Sequence, residues 1–457
     1  MTKMVKHPLR ITADALKNAF IKSGFALYDN GEYPELERAE INMKVFDDPA
    51  RIKTPVLLMD GQYALRTGLL PFMLPKAAKD SAAKAVACGK VFDGGDEVHP
   101  AHLHMEGAVA SEMTFYDLRM MWKRIVKDAF GAAFDAELEK LSGELGKADL
   151  ASWGASAMKA HTLYGTETWA IRVTGPESID IVLGHIGTLT WIGAALFGCE
   201  DRQTKTYAFS IDVDAAACMQ HGLPERAALF NNESTFLDSF ADGTTSASGS
   251  FEDRCRDVLR TMGYAEGFGP KIYPDGIYKK MNMIQDEWDL NNKGVPLKDA
   301  LGDGVGLPTV LTPALEQILS EKWAAGEQRA KTFEISHIFM PQQGGAPIEK
   351  LAISFGAYGE GVDLGSFTAE VDAFLTNIGN KNHFFIPTNL AIAYDVRECK
   401  LVLDEKMSYL GGNFGGISGI AEKNFGIGTH AYMANLELQP LERKAEEEYG
   451  YVPPELR

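Results

Sequence analysis

The sequence predicts an α+β protein made of two tandem domains of one kind, each an antiparallel sheet flanked by helices. Three observations predict this. Apolar, β-prone runs are interspersed with segments that are apolar at helical spacing. A Ser-, Thr-, Gly- and Asp-rich stretch, 233–249, contains Gly-Thr-Thr-Ser-Ala-Ser-Gly-Ser and reads as a linker near mid-chain. The pattern ahead of that linker then returns behind it in the same order. A helix closed by Gly24-Phe25 is echoed by one closed by Gly263-Tyr264, and Leu65–Pro71 by Leu307–Pro313. Lys90-Val-Phe92 is echoed by His337-Ile-Phe339, and Tyr207-Ala208-Phe209 by the run from Tyr432. Each echo is weak alone; their conserved order argues for internal duplication.

Taken in order, Thr12–Ser23 is predicted helical, with Thr12 as N-cap, Leu16 and Phe20 four apart, and Gly24 as the stop. Pro55–Met59 is a short apolar strand ending at the turn pair Asp60-Gly61. From Leu65 a helix is expected to run through Ala87, its wet face marked by Lys76, Asp80 and Lys84. A hairpin follows over Gly89–Ala108, turning at Gly94-Gly95. Phe115–Phe130 is an amphipathic helix with Leu118, Trp122, Ile125 and Val126 inward. Asp180–Leu183 and Tyr207–Val213 read as strands, and Ser250 caps a helix running to Met262.

Composition narrows the function. The chain has 457 residues and a formal charge of −18, which repels nucleic-acid backbone in the absence of a basic patch, and none is found. Five scattered cysteines include no C-x-x-C pair, so reduced thiols are expected rather than disulfides or a zinc knuckle. There is no apolar run of about 18 residues and no signal-peptide core at the N-terminus, so a cytoplasmic protein without a membrane partner is expected.

The chemistry concentrates in the hairpin. His102, His104 and Glu106 alternate along its second strand and so project to one face, with His99 before Pro100 at the strand entrance. Such a set could be a satisfied hydrogen-bond cluster, a polar ligand pocket, or imidazole and carboxylate ligands for zinc or iron. Arg66 could hold a substrate carboxylate through both nitrogens or sit in a salt bridge. Phe209, Trp191 and Tyr207 read as core residues or as the lining of an aromatic pocket. The run Gly411–Gly419 lacks the Gly-Lys-Ser/Thr ending of a phosphate loop and is not read as one.

These stretches resemble the catalytic core of phenylalanyl-tRNA synthetase, a class II synthetase built from related α and β subunits. His7-Pro8-Leu9 through Gly24-Phe25, Asn42 and Asp48–Arg51 are similar to the start of the α-subunit core. Gly89–Phe92, His99-Pro100, Glu106-Gly107 and Thr114–Leu118 resemble the second motif. Tyr207–Phe209, His221–Arg226 and Leu229–Asn231 look like the third. In the second half, Gly263–Glu266, Phe333–Ile335, Ile338-Phe339, Tyr409–Gly412 and Tyr451–Pro454 resemble the β subunit. The resemblance implies two class II synthetase-like domains, 1–232 of α type and 250–457 of β type, paired as a pseudo-dimer within one chain. The helices at 12–23 and 250–262 match the elements through which such domains pair.

The resemblance also implies that Glu106 receives a substrate amino group, with His104 in the place of a polar amine-binding residue; Arg66 and His102 join this substrate-binding set on their own chemistry and position. In the second half Leu351 and Ile353 fall at the His104 and Glu106 positions, so a polar pocket is expected in the first half only. The second-motif arginine that holds the ATP phosphate aligns with Asp93 or Gly94, and the third-motif arginine with Ala215. Adenylation needs cationic groups at phosphorus, so ATP as a cofactor and ordinary tRNA charging are not expected. The family's coiled coil and anticodon-binding domain find no match. Three readings stay open. One is a synthetase-like protein that binds an amino acid or related amine, with ligase or transferase chemistry of another kind. Another is a silent regulator or scaffold, as a homodimer or with a partner enzyme. The last is a metal-dependent enzyme using His99, His102, His104 and Glu106.

Overall fold

The computed structural model describes residues 6–28, 34–38, 58, 61–94, 99–110, 113–140, 164–189, 191–199, 205–240, 250–274, 276–283, 294–297, 306–342, 345–388, 398–403 and 410–449. The chain folds into two compact units, one of residues 8–229 and one of residues 230–457 together with 1–7.

The first unit opens with helix α1 (Pro8–Lys22) and edge strand β1 (Ala26–Leu27). A small ribbon of β2 (Leu36–Arg38) and β3 (Tyr63–Leu65) precedes helix α2 (Leu70–Lys79). The hairpin β4 (Lys84–Phe92) and β5 (Ala101–Ala110) leads to helix α3 (Phe115–Phe130). Then come β6 (Asp135–Lys140), β7 (Tyr164–Thr174), β8 (Asp180–Leu189), α4 (Trp191–Leu196), β9 (Thr206–Asp212) and α5 (Val213–His221). Seven strands form one sheet in the order β1-β4-β5-β9-β8-β7-β6, antiparallel except where β1 runs parallel to β4.

Alternation along β5 and β9 sends Met105, Val109, Phe209 and Ile211 to one face. There they meet α1 and α3 around an aromatic knot. Phe20 stacks on Phe209 at 5.0 Å, and Trp122 meets the same ring edge-on at 5.1 Å. Tyr207 and Phe209 are therefore core residues; the Trp191 side chain lies outside the described residues. On the other face α2 lays Met73, Leu74 and Ala77 over Ala85, Ala87, Ala108 and Ala208.

The second unit begins with α6 (Ser234–Asp238) and α7 (Phe251–Thr261), then β10 (Ala265–Glu266) and α8 (Ile277–Lys280). The pair β11 (Val295–Pro296) and β12 (Gly306–Leu307) precedes α9 (Thr312–Ala324). Next are β13 (Ala330–Met340), β14 (Ile348–Tyr358), α10 (Leu364–Ile378), β15 (Phe384–Thr388), β16 (Glu398–Val402) and β17 (Leu410–Gly416). The unit ends with α11 (Gly419–Phe425), β18 (Ala431–Glu437) and α12 (Leu438–Tyr449). Its sheet order, β10-β13-β14-β18-β17-β16-β15, repeats that of the first unit strand for strand. Even an irregularity recurs. The register slips between β7 and β8 beside Gly184, and between β16 and β17 beside Gly412. A Cβ on Gly184 would lie 2.1 Å from the Ser210 carbonyl oxygen, and one on Gly412 would lie 2.2 Å from that of Asn435. Backbone cannot retreat as a side chain can, so Gly184→Ala is expected to cost about 1–3 kcal/mol. A urea-unfolding midpoint equal to that of the parent would contradict this.

Four expectations need correction. Helix α1 starts at Pro8, whose missing N–H is harmless in a first turn. Thr12 lies inside it, its hydroxyl donating to Gln220 Oε1 at 2.8 Å rather than capping. Helix α2 stops at Lys79, not Ala87, because Ser81 takes a left-handed φ of 54° and the chain re-enters as β4. Val213 starts a helix rather than ending a strand, since the Asp212 side chain accepts from Ala215 N and caps α5. The 233–249 linker begins as structure. Ser234 N donates to Glu327 Oε1 at 2.6 Å, Lys322 Nζ donates to Ser234 Oγ, and 234–238 is helical. Residues 241–249, the strand expected at 55–59 apart from Leu58, and the quoted stretches at 41–51 and 451–454 lie outside the described residues.

Candidate functional site

The site grows from the β4–β5–β9 register. Glu106 lies between Ala87 and Ser210, and His104 between Gly89 and Asp212, while His102 faces Val91. One strand further, His185 lies opposite Ser210. The period of two puts His102, His104, Glu106, Ser210, Asp212 and His185 on a single face. It is the face that α2 covers, and the polar patch begins where that helix begins.

Glu106 is 7% exposed. Its Oε2 accepts from Leu69 N at 2.6 Å and Leu70 N at 2.9 Å, the first amides of α2. Leu69 cannot cap with its own side chain, so a carboxylate from a distant strand does the capping and also faces the positive end of the helix. The other oxygen, Oε1, lies 3.4 Å from Ser210 Oγ. That hydroxyl is in turn 3.5 Å from Nδ1 of His104, a ring only 2% exposed. Gly68 passes close by; a Cβ there would sit 3.3 Å from Glu106 Oε2.

Arg66 also reaches this face, over Gly89, where a Cβ would come within 2.9 Å of Nη2. Its Nε donates to the Lys90 carbonyl at 2.6 Å and its Nη1 to that of Pro34 at 3.2 Å. Two of its nitrogens thus tie the β2–β3 ribbon region to β4, so the two-nitrogen carboxylate clamp is not preformed. His102 and His104 rings meet edge-on at 6.2 Å between centroids. Among the described residues, donor atoms of His102, His104 and Asp212 lie within 4.8 Å of one another. The ligand set expected from sequence shared only the two histidines; Glu106 is engaged by α2, and His99 contributes its carbonyl to Arg226 instead.

Sequence reasoning missed Asp212, Asp214, Ser210, His185 and Arg226. Arg226 Nε donates to Asp214 Oδ2 at 2.6 Å and Nη1 to the His99 carbonyl at 2.8 Å, while Nη2 reaches Ala101 O. Asp214 Oδ1 accepts from Leu103 N, so the pair pins the start of β5 to α5. Burial pushes the Asp214 carboxyl up to about 7, with the Asp212 charge adding and Arg226 opposing. The signal available in the sequence was only that Asp212 and Asp214 alternate around a helix start. At the places aligned with the family's phosphate-binding arginines the structure puts Asp93, 2% exposed at the end of β4, and Ala215, in the first turn of α5.

The second unit revises the expectation of a single polar pocket. Matching the two sheets through their pairings sets Ser354 where Glu106 lies, and Ala352 where His104 lies, rather than Ile353 and Leu351. The corresponding face carries Glu334, Ser336, Ser354, Asn413 and Asn435. Glu334 is 1% exposed; Lys271 Nζ donates to its Oε1, and its Oε2 has no hydrogen-bond partner among the described residues. Both sheets therefore have a polar face, with different chemistry.

Comparison with known proteins finds relatives of both subunit types of one enzyme. The family described as phenylalanyl tRNA synthetase beta chain CLM domain matches residues 235–438. The phenylalanine–tRNA ligase alpha subunit of Clostridium perfringens is 26% identical over 244 residues, covering 51% of this chain and 69% of that protein. The alpha subunit from Fusobacterium nucleatum is 24% identical over 250 residues, covering 51% and 68%. Among solved structures, pyrrolysyl-tRNA synthetase from Desulfitobacterium hafniense aligns with a TM-score of 0.37 and 13% identity, over 52% of this chain and 78% of that one. Among the described residues no helix is long and apolar enough to cross a membrane. One chain thus carries similarity to both subunit types of a single enzyme, phenylalanyl-tRNA synthetase: to the beta chain family over residues 235–438 and to the alpha subunit over about half of the chain.

Proposed function

We propose that the first unit binds a small amine or amino acid on the polar face of its sheet, and that the protein does not charge tRNA in the ordinary way. The observation that carries this reading is the Glu106 carboxylate. Two helix amides hold one of its oxygens, and the other looks along a buried face toward Ser210 and His104. A fixed carboxylate with amide, hydroxyl and imidazole neighbours suits an ammonium group. Asp93 and Ala215, where cationic side chains would be needed, weigh against a triphosphate. Without those cations, ligase or transferase chemistry would have to start from a ligand activated elsewhere.

The test is calorimetry on the full chain with the proteinogenic amino acids, simple amines and ATP. Binding of at least one amine and none of ATP is expected. Glu106→Gln keeps one oxygen acceptor for the helix amides but loses the charge, and should weaken the amine at least about tenfold, in line with about 1.5–3 kcal/mol for a charged hydrogen bond. If the parent takes up no amine at all, the reading fails. The repeated topology also supports tandem duplication, with domains 1–232 and 250–457 pairing within the chain. Cleavage inside 241–249 should then leave both fragments in one gel-filtration peak; two peaks would refute the pairing.

A further inference from the structure

We propose that His102, His104 and Asp212 form a binding site for a zinc-class divalent metal ion. This goes beyond amine binding and rests on different atoms from those of Glu106.

Two imidazoles and one carboxylate, each able to offer a donor atom within 4.8 Å of the others, make a mixed nitrogen–oxygen set suited to first-row divalent ions. In a tetrahedral zinc site such donors stand about 3.3 Å apart, so small side-chain rotations close the set. Two of its members are already oriented. Asp212 is fixed by Ala215 N, which donates to Oδ1 at 3.0 Å. Ser210 Oγ lies 3.5 Å from Nδ1 of His104, the kind of outer contact that sets a ligating imidazole's orientation.

The second unit says what charge this place needs. There Glu437 occupies the position of Asp212, the last strand residue before a helix, and Lys350 occupies that of His102. Lys350 Nζ lies 3.0 and 2.9 Å from the two Glu437 oxygens, and Ala352 stands in for His104. One copy of the fold thus neutralises its strand-end carboxylate with a built-in ammonium. The other replaces that lysine by one imidazole and adds a second. Neither ring brings the fixed ammonium that Lys350 supplies, but each offers a nitrogen lone pair. A divalent ion held by both rings would place positive charge beside Asp212.

The experiment uses the full chain, stripped with chelator and then titrated with Zn(II) by calorimetry, with elemental analysis after dialysis. The expected result is one zinc per chain. His102→Ala and Asp212→Asn should each weaken binding at least about tenfold; asparagine caps a helix as well as aspartate does, so the second variant should fold. His102→Lys, which rebuilds the pairing of the second unit, should abolish uptake while melting no lower than the stripped parent. Glu106→Gln should keep its zinc, which separates this site from the amine pocket. No stoichiometric uptake, uptake unchanged in His102→Ala and Asp212→Asn, or loss of zinc in Glu106→Gln would each overturn the assignment.

Discussion

Glu106→Ala is expected to loosen the first turn of α2 and to destabilise the first unit by about 3 kcal/mol. Two charge-assisted hydrogen bonds, at 2.6 and 2.9 Å, are lost together, and nothing on Leu69 replaces them. The amides left behind are buried, so water does not readily take over. The helix in question packs Met73 and Leu74 into the sheet, so the loss propagates into that layer. Hydrogen exchange should show the effect as faster exchange at Leu69 and Leu70 before the rest of α2. Glu106→Gln keeps an acceptor and should cost well under half as much. Were the alanine variant to unfold at the same urea concentration as the parent, the carboxylate would not be the cap that its geometry indicates. The comparison of the two variants also separates the structural role of Glu106 from the proposed binding role.

The second large effect concerns Glu316, on α9 of the second unit. It is fully buried, and neither carboxyl oxygen has a hydrogen-bond partner among the described residues. Burial foremost, and then the charge of Glu422, push its carboxyl up to about 8, against a weaker opposing pull from Lys280. The unfolded chain releases this proton near its ordinary value of 4.5, and the folded chain holds it to about 8. Between those values folding takes up a proton, so stability falls as pH rises across that window and is level above it. The whole drop is on the order of 5 kcal/mol. Glu316→Met removes the titrating group at similar volume. It should flatten the decline and leave the second unit more stable than the parent at about pH 8. Urea midpoints measured from about pH 5 to pH 9 test both statements, and a parent profile that rises over that range would sink them.

Much of the architecture was legible because it depends on local periodicity. Phe115–Phe130 is a helix with Leu118, Trp122, Ile125 and Val126 buried, and its Thr114–Asp117 capping box is written in the sequence. The alternation of His102, His104 and Glu106 placed them on one face without further information. Strands β6 and β7 were missed; along Asp135–Lys140 only Ala136 and Leu138 turn to the core, a short apolar signal among charged residues. The end of α2 was misplaced because Ala-rich sequence through 87 suits a helix, and a single left-handed residue at Ser81 breaks it. The offset between the two halves was off by one at β14, and in a strand one residue exchanges the faces. That slip hid Ser354 behind Ile353 and with it the second polar face.

By itself the sequence determined the mixed α+β class, the repeated order of elements, and the set of ionisable groups offered by β5. These follow from spacing along the chain, which backbone geometry turns directly into faces and turns. Only the tertiary structure decided how those groups are used. It gave Glu106 to the helix amides of Leu69 and Leu70, turned Arg66 onto backbone carbonyls, and brought Asp212 from more than a hundred residues away to the two histidines. Pairing between distant strands sets those neighbours, and no local pattern of residues encodes which carboxylate will lie across from which imidazole.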